Sequence, residues 1–444
     1  MTRRVAIIGS GIAGLGAAWL LSRSAEVTLI EEAPRLGGHS NTIDAPTPDG
    51  AVAVDTGFIV YNEANYPNLT ALFSHLGVAT APSDMGFAVS ADAGRMEYCG
   101  RHFNGLFAQR RNLLRPRHWM MVADILRFFR SAEAEVRALQ DDVGIGAFLK
   151  RQGYSEAFIE DHLLPVSAAI WSTPARTMLD FPAKAFVAFF ANHGLLRISD
   201  RPGWRTVVGG SRNYVARLLA DSRLRVLTDA RIAGVRRDLG GVEVAFATGE
   251  KRRFDDIVFA CHADTALSLL SDASDEERNL LCAFRFTPNR AVLHTDAALM
   301  PRRRSLWSAW NYLKRGEAAD ARLSLTYWMN RLQPLETRHN LFVTLNPAHD
   351  FAEGSVITSI DYTHPLFDAG SLAAQRRIWQ IQGLGRTWYA GAWLGYGFHE
   401  DGLQSGLEIA ERLGVEKRPW QLAAARDRVA HNWGEEATPR AAAE

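Results

Sequence analysis

Cysteine is scarce in this chain, and the few cysteines are too far apart for the usual cysteine sites. Cys99, Cys261 and Cys282 are the three cysteines among 444 residues, and no two of them form a C-x-x-C pair. Disulfide frameworks and structural zinc sites need closely patterned cysteines, so the sequence predicts neither, and we expect no metal site. The same scarcity favours a reducing, cytoplasmic location.

Net charge is also nearly absent. The formal charge is +1 and 22% of the residues are charged, so nothing global attracts a polyanion and no nucleic-acid partner is predicted. A chain of this length exceeds one hydrophobic core, which favours two or three domains. The 12 tryptophans and 22 phenylalanines suit core packing, and we expect some of them to line an apolar channel.

Charge is missing altogether from Val5 to Ser22, a run typical of a signal peptide, a membrane helix or a buried strand and turn. Four glycines in this run disfavour a membrane helix. The following residues, SAEVTLI, continue as a second strand rather than as a cleavage site, which disfavours a signal peptide. The third interpretation therefore remains.

A dinucleotide-binding turn explains the glycines. The strand-like run RVAII leads into Gly9-x-Gly11-x-x-Gly14 and then an apolar helix, with Ala13 inside the motif. Gly9 permits the tight turn, Gly11 lets the backbone approach a pyrophosphate, and Gly14 allows helix–strand contact. The helix N-terminus favours the phosphates. Glu31 ends the second strand 22 positions after Gly9, where an acid binds a ribose hydroxyl.

The next residues indicate which dinucleotide is bound. The stretch EEAPRLGGHSNT resembles the E-x-x-x-R-x-G-G signature of the flavin amine oxidase and phytoene desaturase superfamily, which binds FAD. The resemblance implies that Glu31 binds the adenosine ribose, that Arg35 lies beside the phosphates, and that the two glycines let the chain pass close to the cofactor. Many members have arginine at the last position, so the role of His39 is open. The cofactor residues implied here are Glu31, Glu32, Arg35, Gly37, Gly38 and His39.

A second resemblance lies near residues 387–413. TWYAGAWLGYGFHEDGLQSGLEIAERL resembles the superfamily's closing motif, with a helix starting near Gly402 that points at the N1/O2 edge of the flavin. In relatives the strand at Ile232 contacts adenine. No cysteine lies in the closing motif, so the FAD is expected to be non-covalent. These segments add Ile232, Gly391, Asp401, Gly402 and Leu403 to the implied cofactor residues.

The resemblance spans the whole chain and implies an α/β fold. A Rossmann-like FAD-binding domain (GR2 type) is predicted from residues 1–80, 200–265 and 386–420. A mixed α+β substrate domain is predicted from residues 81–199, which have mostly helical periodicity, and 266–385, which alternate like an antiparallel sheet. The tail, residues 421–444, is rich in alanine and charge and is expected to be flexible.

Phrases such as VDTGFIVYNEANYPNL, GWRTVVGGSRNYV and GYGFHEDGL resemble a narrower bacterial subgroup of NAD/FAD-binding amine oxidase-like proteins. Its characterised relatives desaturate methyl-branched acyl chains of phospholipids on the way to furan fatty acids. Its genes commonly lie beside lipid methyltransferases. The resemblance implies a phospholipid substrate, a methyltransferase as a neighbouring partner, and hydride transfer from an allylic carbon to flavin N5.

Candidate catalytic residues come from the loop GAWLGYGFHED and from the segment after VDTGFIV. His399 is either the proton acceptor or a structural histidine. Asp55 is expected to brace a turn, and Glu400 and Asp401 equally suit caps at a helix start. The candidates beside the flavin are Tyr61 with Asn62, Tyr396, Phe398 and His399.

Two basic, aromatic-rich segments suggest a membrane contact. Residues 101–130 carry seven arginines and one acid, Asp124, interleaved with large apolar side chains, and residues 301–315 form a second patch. Such a pattern suits docking on an anionic membrane, here the inner face of the cell membrane. An ordinary amphipathic helix that covers the substrate domain explains the first segment equally well.

Two other functions fit the same fold. An amine oxidase would use an aromatic cage, for example Tyr396 with Trp393, and an acid that attracts the cation. A non-catalytic flavoprotein would instead support a neighbouring lipid-modifying enzyme.

Overall fold

The computed structural model describes residues 2–91, 94–100, 103–141, 143–171, 175–197, 202–315, 322–347, 350–414 and 416–422. Except for residues 421 and 422, the tail predicted to be flexible lies outside these ranges. Arg101 of the basic segment also lies outside them.

A five-stranded parallel sheet forms one half of the molecule. Its strands, in sheet order, are β10 (Leu224–Leu227), β2 (Glu26–Ile30), β1 (Arg4–Ile8), β14 (Asp256–Phe259) and β20 (Thr387–Tyr389). All four pairings are parallel. The central strands are continuous apolar runs because helices or strands cover both faces. Each of the three segments predicted for FAD binding contributes at least one strand.

Two helices from opposite ends of the sequence pack against each other beside this sheet. They are α1 (Ile12–Leu21) and α14 (His399–Leu413). A Cβ on Gly406 would lie 2.1 Å from the Ala13 carbonyl oxygen, so glycine is needed for this close crossing. The contact holds the closing motif against the first turn. The helix begins at His399, three residues before the predicted start at Gly402.

A seven-stranded mixed sheet forms the other half. Its strands, in sheet order, are β19 (Val356–Leu366), β15 (Arg285–His294), β18 (Phe342–Leu345), β17 (Arg322–Trp328), β16 (Trp310–Arg315), β7 (Phe87–Ala91) and β8 (Met96–Cys99). The β16–β7 pairing is parallel and the others are antiparallel. Most of the described residues of 81–199 are helical, as expected, and the last two strands of this segment, β7 and β8, extend the mixed sheet through the pairing of β7 with β16.

Helices cover one face of the mixed sheet and form an aromatic core there. They are α3 (Phe103–Leu106), α4 (Pro116–Arg137), α5 (Ile145–Arg151), α6 (Glu156–Phe158), α7 (Leu164–Trp171) and α8 (Ala183–Asn192). Two further helices, α10 (Ala263–Leu269) and α11 (Asp275–Leu281), lie mostly in the segment predicted for the substrate domain but pack with the parallel sheet.

The remaining elements connect these layers. The helices are α2 (Pro67–His75), α9 (Arg212–Ala220), α12 (Met329–Leu332) and α13 (Ala369–Gln375). The strands are β3 (Thr42–Thr47), β4 (Gly50–Asp55), β5 (Tyr61–Asn62), β6 (Thr80–Ser83), β9 (Trp204–Val207), β11 (Ile232–Asp238), β12 (Gly241–Phe246) and β13 (Lys251–Phe254). Among the described residues, none of the helices combines the length and apolarity needed to cross a bilayer.

Candidate active site

A cavity of about 490 Å³ is lined by residues from both halves of the molecule. One end is formed by residues that follow the carboxyl ends of the parallel strands, where ligands of open α/β sheets bind. We call this the cofactor end; it includes Gly9, Glu31, Ala260 and Gly391. The opposite end, which we call the substrate end, is formed by α7 and the mixed sheet and includes Ile170, Trp310 and Tyr327.

The glycine turn at the cofactor end fits a bound dinucleotide. Gly9 has φ +99°, and a Cβ on Gly14 would lie 1.9 Å from the Gly9 carbonyl oxygen, so both positions need glycine. A Cβ on Gly11, by contrast, would meet no atom within 4 Å, and Gly11 lines the cavity. The open space lies at the N-terminus of α1, which has no side-chain cap. Unsatisfied N–H groups and free space together suit the pyrophosphate of FAD.

The acid after β2 also faces this end. The Glu31 carboxylate accepts hydrogen bonds from Ser10 N (2.8 Å), Ser10 Oγ (2.6 Å) and Ala33 N (2.9 Å). These bonds hold the carboxylate beside the glycine turn, where the ribose is expected. Gly38 lines the cavity, and its Cβ would lie 3.0 Å from Gly11 Cα, so the second motif crosses directly over the first.

Several implied cofactor residues do not line the cavity. Glu32 and Arg35 are exposed, Gly37 is buried with its N–H bonded to Ser10, and Ile232 starts β11 away from the lining. Gly402 and Leu403 pack against Ile12 and Gly16 of α1. Direct contact of these residues with FAD stays a prediction.

The two acids of the closing motif have different structural roles. The Asp401 carboxylate accepts the N–H groups of Tyr396 (3.1 Å) and Phe398 (2.8 Å), so it shapes the loop at the start of α14. The Glu400 carboxylate instead accepts Asn68 N (2.9 Å) and Leu69 N (3.0 Å). Glu400 therefore caps α2 rather than its own helix, and neither acid lines the cavity.

His399 lies in the cavity lining, as a catalytic role requires. Its Nε2 is 3.0 Å from both Ser40 Oγ and Tyr214 Oη, and these two hydroxyls also contact each other. Its ring stacks on Phe58 with centroids 3.7 Å apart. Burial lowers the pKa of His399 to about 3, so the imidazole is neutral at physiological pH.

The other catalytic candidates divide into two groups. Phe398 lines the cavity and stacks on Phe189, with centroids 5.0 Å apart, whereas Tyr396 does not line it. Tyr61 does not line the cavity either, and its contact with the flavin stays a prediction. Pairing of β5 with β9 turns Tyr61 into the core, where Tyr66 and Phe73 contact its ring edge-on.

The segment around Tyr61 is structural in other respects too. Asn62 Oδ1 accepts Asn65 N at 2.9 Å and is fully buried. Asp55 braces the turn as expected, because it accepts Thr42 Oγ1 (2.6 Å) and Ser211 N (2.9 Å). Burial raises the pKa of Asp55 to about 6.

Histidines are frequent in the cavity lining, and sequence reasoning missed three of them, His193, His262 and His364. His39, His193, His262, His364 and His399 all line the cavity. Burial lowers the pKa of His39, His262 and His364, the last to about 4. His262 follows the carboxyl end of β14, a position that the strand rule could have identified. His364 lies on a strand of the mixed sheet and has no local pattern that marks it.

These histidines do not form a metal site. In the part of the chain that the structure describes, no three His, Cys, Asp or Glu side chains are grouped to hold a metal ion. His364 Nδ1 is 2.9 Å from Asn289 Nδ2, and His262 Nδ1 is 3.2 Å from Thr363 Oγ1. The imidazoles are therefore held neutral and oriented by neutral partners.

Charge is confined to one end of the cavity. Among the described lining residues, Glu31 is the one carboxylate, at the cofactor end, and neither lysine nor arginine is present. The aromatic pair expected in an amine oxidase is not on the lining, because Tyr396 is absent from it. Trp393 contacts Phe284 edge-on and donates its Nε1–H to the Cys261 carbonyl oxygen at 3.1 Å.

Comparison with known proteins identifies the fold and the family. Residues 12–324 match the family model described as flavin containing amine oxidoreductase. No curated protein matches this chain. These findings and the sheet topology together confirm the predicted α/β fold.

Solved structures with the same fold cover nearly the whole chain at low identity. A putative protoporphyrinogen oxidase from Exiguobacterium sp. 255-15 has a TM-score of 0.68 and 16% identity and covers 94% of this chain and 100% of its own. A CLA-producing fatty acid isomerase from P. acnes has a TM-score of 0.66 and 15% identity, and the match covers 92% of this chain and 98% of its own. Putrescine oxidase bound to putrescine has a TM-score of 0.63 and 16% identity, and the match covers 93% of this chain and 99% of its own. Likeness at this level shows the fold alone.

Proposed function

The chain belongs to the flavin containing amine oxidoreductase family and uses FAD, and we propose that it desaturates methyl-branched unsaturated acyl chains of phospholipids. The observation that carries the proposal is the apolar, uncharged substrate end. Trp310, Tyr327 and Ile170 lie there, and the one carboxylate of the described lining is bonded beside the glycine turn. An ammonium substrate would have no counter-charge at the substrate end, whereas a hydrocarbon chain needs none.

Bound FAD supplies a hydride acceptor. The protein's part is to hold an allylic C–H of the acyl chain next to that acceptor and to exclude water, which the aromatic lining favours. The hydride leaves with both bonding electrons, so the substrate becomes an allylic cation that the methyl branch stabilises. A neighbouring C–H must lose its proton to a base before the cation takes the hydride back, so net flavin reduction requires the base. The electrons of that C–H bond form the second double bond of a conjugated diene.

His399 is the base in this proposal. Its low pKa keeps it neutral and able to accept a proton, although it makes the ring a weak base. A weak base suffices here, because a C–H bond next to an allylic cation is strongly acidic. When Nε2–H donates to the hydroxyls of Ser40 and Tyr214, the lone pair on Nδ1 remains as the acceptor.

Neighbouring folds support an acyl substrate as one of two options. One solved structure of this fold is a fatty acid isomerase, and another is a putrescine oxidase. The subgroup resemblance favours the lipid, as does the missing acid at the substrate end. The proposal places the protein at the inner face of the cell membrane, beside a lipid methyltransferase that supplies the branched chain.

Anaerobic reduction of the bound FAD separates the alternatives. A phospholipid with a methyl-branched unsaturated chain, presented in detergent micelles, is expected to bleach the flavin absorbance. The same lipid without the branch should bleach it more slowly, because the cation is less stabilised. Bleaching by putrescine and not by lipid would establish an amine oxidase instead. A non-catalytic role would be indicated if His399→Gln removed all bleaching while cells expressing it made the product lipid at the wild-type level.

A further inference from the structure

A second cavity of about 430 Å³ opens beside the mixed sheet, outside the candidate active site. Four basic side chains of the described residues line it, namely Arg95, Arg115, Arg117 and Lys314, against two acids, Glu160 and Asp161. Both acids are already engaged. Asp161 accepts Arg117 Nε at 2.8 Å, and Glu160 lies 3.6 Å from Lys314 Nζ.

Among the described residues that line this cavity, cationic side chains therefore outnumber carboxylates by four to two. Arg115 donates to neutral oxygens, the Arg95 carbonyl (3.2 Å) and Asn112 Oδ1 (3.3 Å), which leaves its charge uncompensated by these partners. His118 also lines the cavity, and burial lowers its pKa, so it adds no charge at neutral pH. An anionic group of phosphate size suits this arrangement.

Large apolar side chains are exposed on the chain segment that contributes Leu114 to His118 to this cavity. Leu114 is 87% exposed and is itself part of the cavity lining. Leu113, Trp119 and Met120 are 42%, 43% and 50% exposed. Trp119 is held in place, because its Nε1–H donates to the Leu113 carbonyl oxygen at 2.9 Å. We call Leu113, Leu114, Trp119 and Met120 the apolar patch.

The apolar patch is not explained by an amphipathic helix alone. The buried face of α4 carries Met121, Val122, Ile125 and Phe128, which pack in the helical core. Trp119 and Met120 lie on the other side of the helix start. Exposed Arg110 and Arg111 flank the patch, so it combines apolar insertion with positive charge.

The two cavities lie along one face of the same strand. Trp310 of β16 lines the candidate active site, whereas Tyr312 and Lys314 line the second cavity. Alternate residues of a strand share a face, so the four-residue step from Trp310 to Lys314 spans about 13 Å. Helix α7 covers the same path, since its Pro165 lines the second cavity and its Ile170 the first.

We propose that the apolar patch docks on an anionic phospholipid bilayer and that the second cavity receives a lipid phosphate, whose acyl chain then runs along β16 to the substrate end. The choice of an anionic bilayer follows from the charge excess and from the exposed leucines and tryptophan. The acyl route rests on the proposed function, whereas docking does not.

Vesicle co-sedimentation of the FAD-bound protein tests docking. The wild type is expected to sediment with vesicles that contain anionic phosphatidylglycerol, less with phosphatidylcholine alone and less at high salt. Leu114→Asp should weaken binding about tenfold or more, because a leucine no longer inserts and a negative charge is added. Leu239→Asp is the matched control, since Leu239 is fully exposed on the β11–β12 turn. Equal binding of the two variants would overturn docking.

Turnover on two substrates tests the phosphate site. In detergent micelles, Arg115→Gln should raise KM for the anionic phospholipid about fivefold and leave kcat unchanged. For the methyl ester of the same fatty acid, which lacks phosphate, KM should not change, and Arg236→Gln on β11 should change neither. Equal effects of Arg115→Gln on both substrates would overturn the phosphate site. A wild type that sediments with vesicles but is reduced by neither substrate would refute the acyl route and the proposed function while docking stands.

Discussion

The cofactor end and the substrate end of the main cavity are built from different parts of the polypeptide. At the cofactor end the surface is largely backbone, with Gly9, Gly11 and Gly38 at strand ends and crossings. At the substrate end it consists of large side chains that come from separate elements, such as Trp310 and Ile170. Substitutions that add volume should therefore be most damaging at the cofactor end. Substitutions that change side-chain chemistry should be most damaging at the substrate end.

The largest effect is expected from Gly11→Val. Its side chain would enter the open space at the N-terminus of α1 rather than clash with protein atoms, so the fold should persist while FAD is excluded. The cost is on the order of 3 kcal/mol, or about a hundredfold in the FAD dissociation constant. Absorbance of the purified protein measures retained flavin. Gly100→Val is the control, because Gly100 also has open space but lies outside the cavity lining. A yellow Gly11→Val protein would refute the assigned turn.

The next largest effect is expected from His399→Gln, which removes a side-chain function and adds no volume. Without the imidazole, proton removal should slow by about a hundredfold or more, whereas FAD should be retained, because the backbone at the cofactor end is unchanged. Single-turnover reduction of the bound FAD by the branched phospholipid measures the rate. Equal rates in wild type and variant would leave His399 with only a structural role.

The same contrast explains how much could be predicted from the sequence. The glycine turn depends on a short local pattern, since Gly9, Gly11, Gly14 and Glu31 have their roles within one strand–turn–helix–strand unit. The place of His364 in the lining could not be predicted in this way. His364 meets the cavity only because β19 pairs with β15 at the edge of the mixed sheet, and such a pairing leaves no local mark. The orientation of Tyr61 likewise depends on pairing with β9, about 140 residues away, which leaves no local mark.

Acid should lower the free energy of unfolding of the protein through the buried histidine His364 in the cavity lining. Burial holds the pKa of His364 at about 4, below its unfolded value of 6.5, so between these values the unfolded chain binds a proton that the native chain does not. Its contribution to stability is complete above pH 6.5 and declines as the pH falls towards 4. At about pH 5 the loss is about 2 kcal/mol. Asp55 acts in the opposite direction, because its raised pKa favours proton uptake by the native state below pH 6.

Replacing His364 with glutamine should remove this part of the acid sensitivity. Denaturant unfolding near pH 7.5 and near pH 5 gives the free energy of unfolding at each pH. The decrease between them should be about 2 kcal/mol smaller in His364→Gln than in the wild type. Parallel decreases in the two proteins would show that His364 titrates normally in the fold.

The smallest effect is expected from Tyr214→Phe, which leaves Ser40 as the one hydroxyl bonded to His399 Nε2. Loss of one hydrogen bond of about 1 kcal/mol should slow flavin reduction about fivefold and shift its pH profile, with FAD retained. Tyr61→Phe is the matched control, since this core tyrosine has no bond to His399. A structural role alone would lower stability or FAD content without changing the rate per bound flavin. If Tyr214 orients the base, its removal should also make the further change Ser40→Ala more costly than it is in the wild type, because the last hydroxyl that fixes the imidazole is then lost.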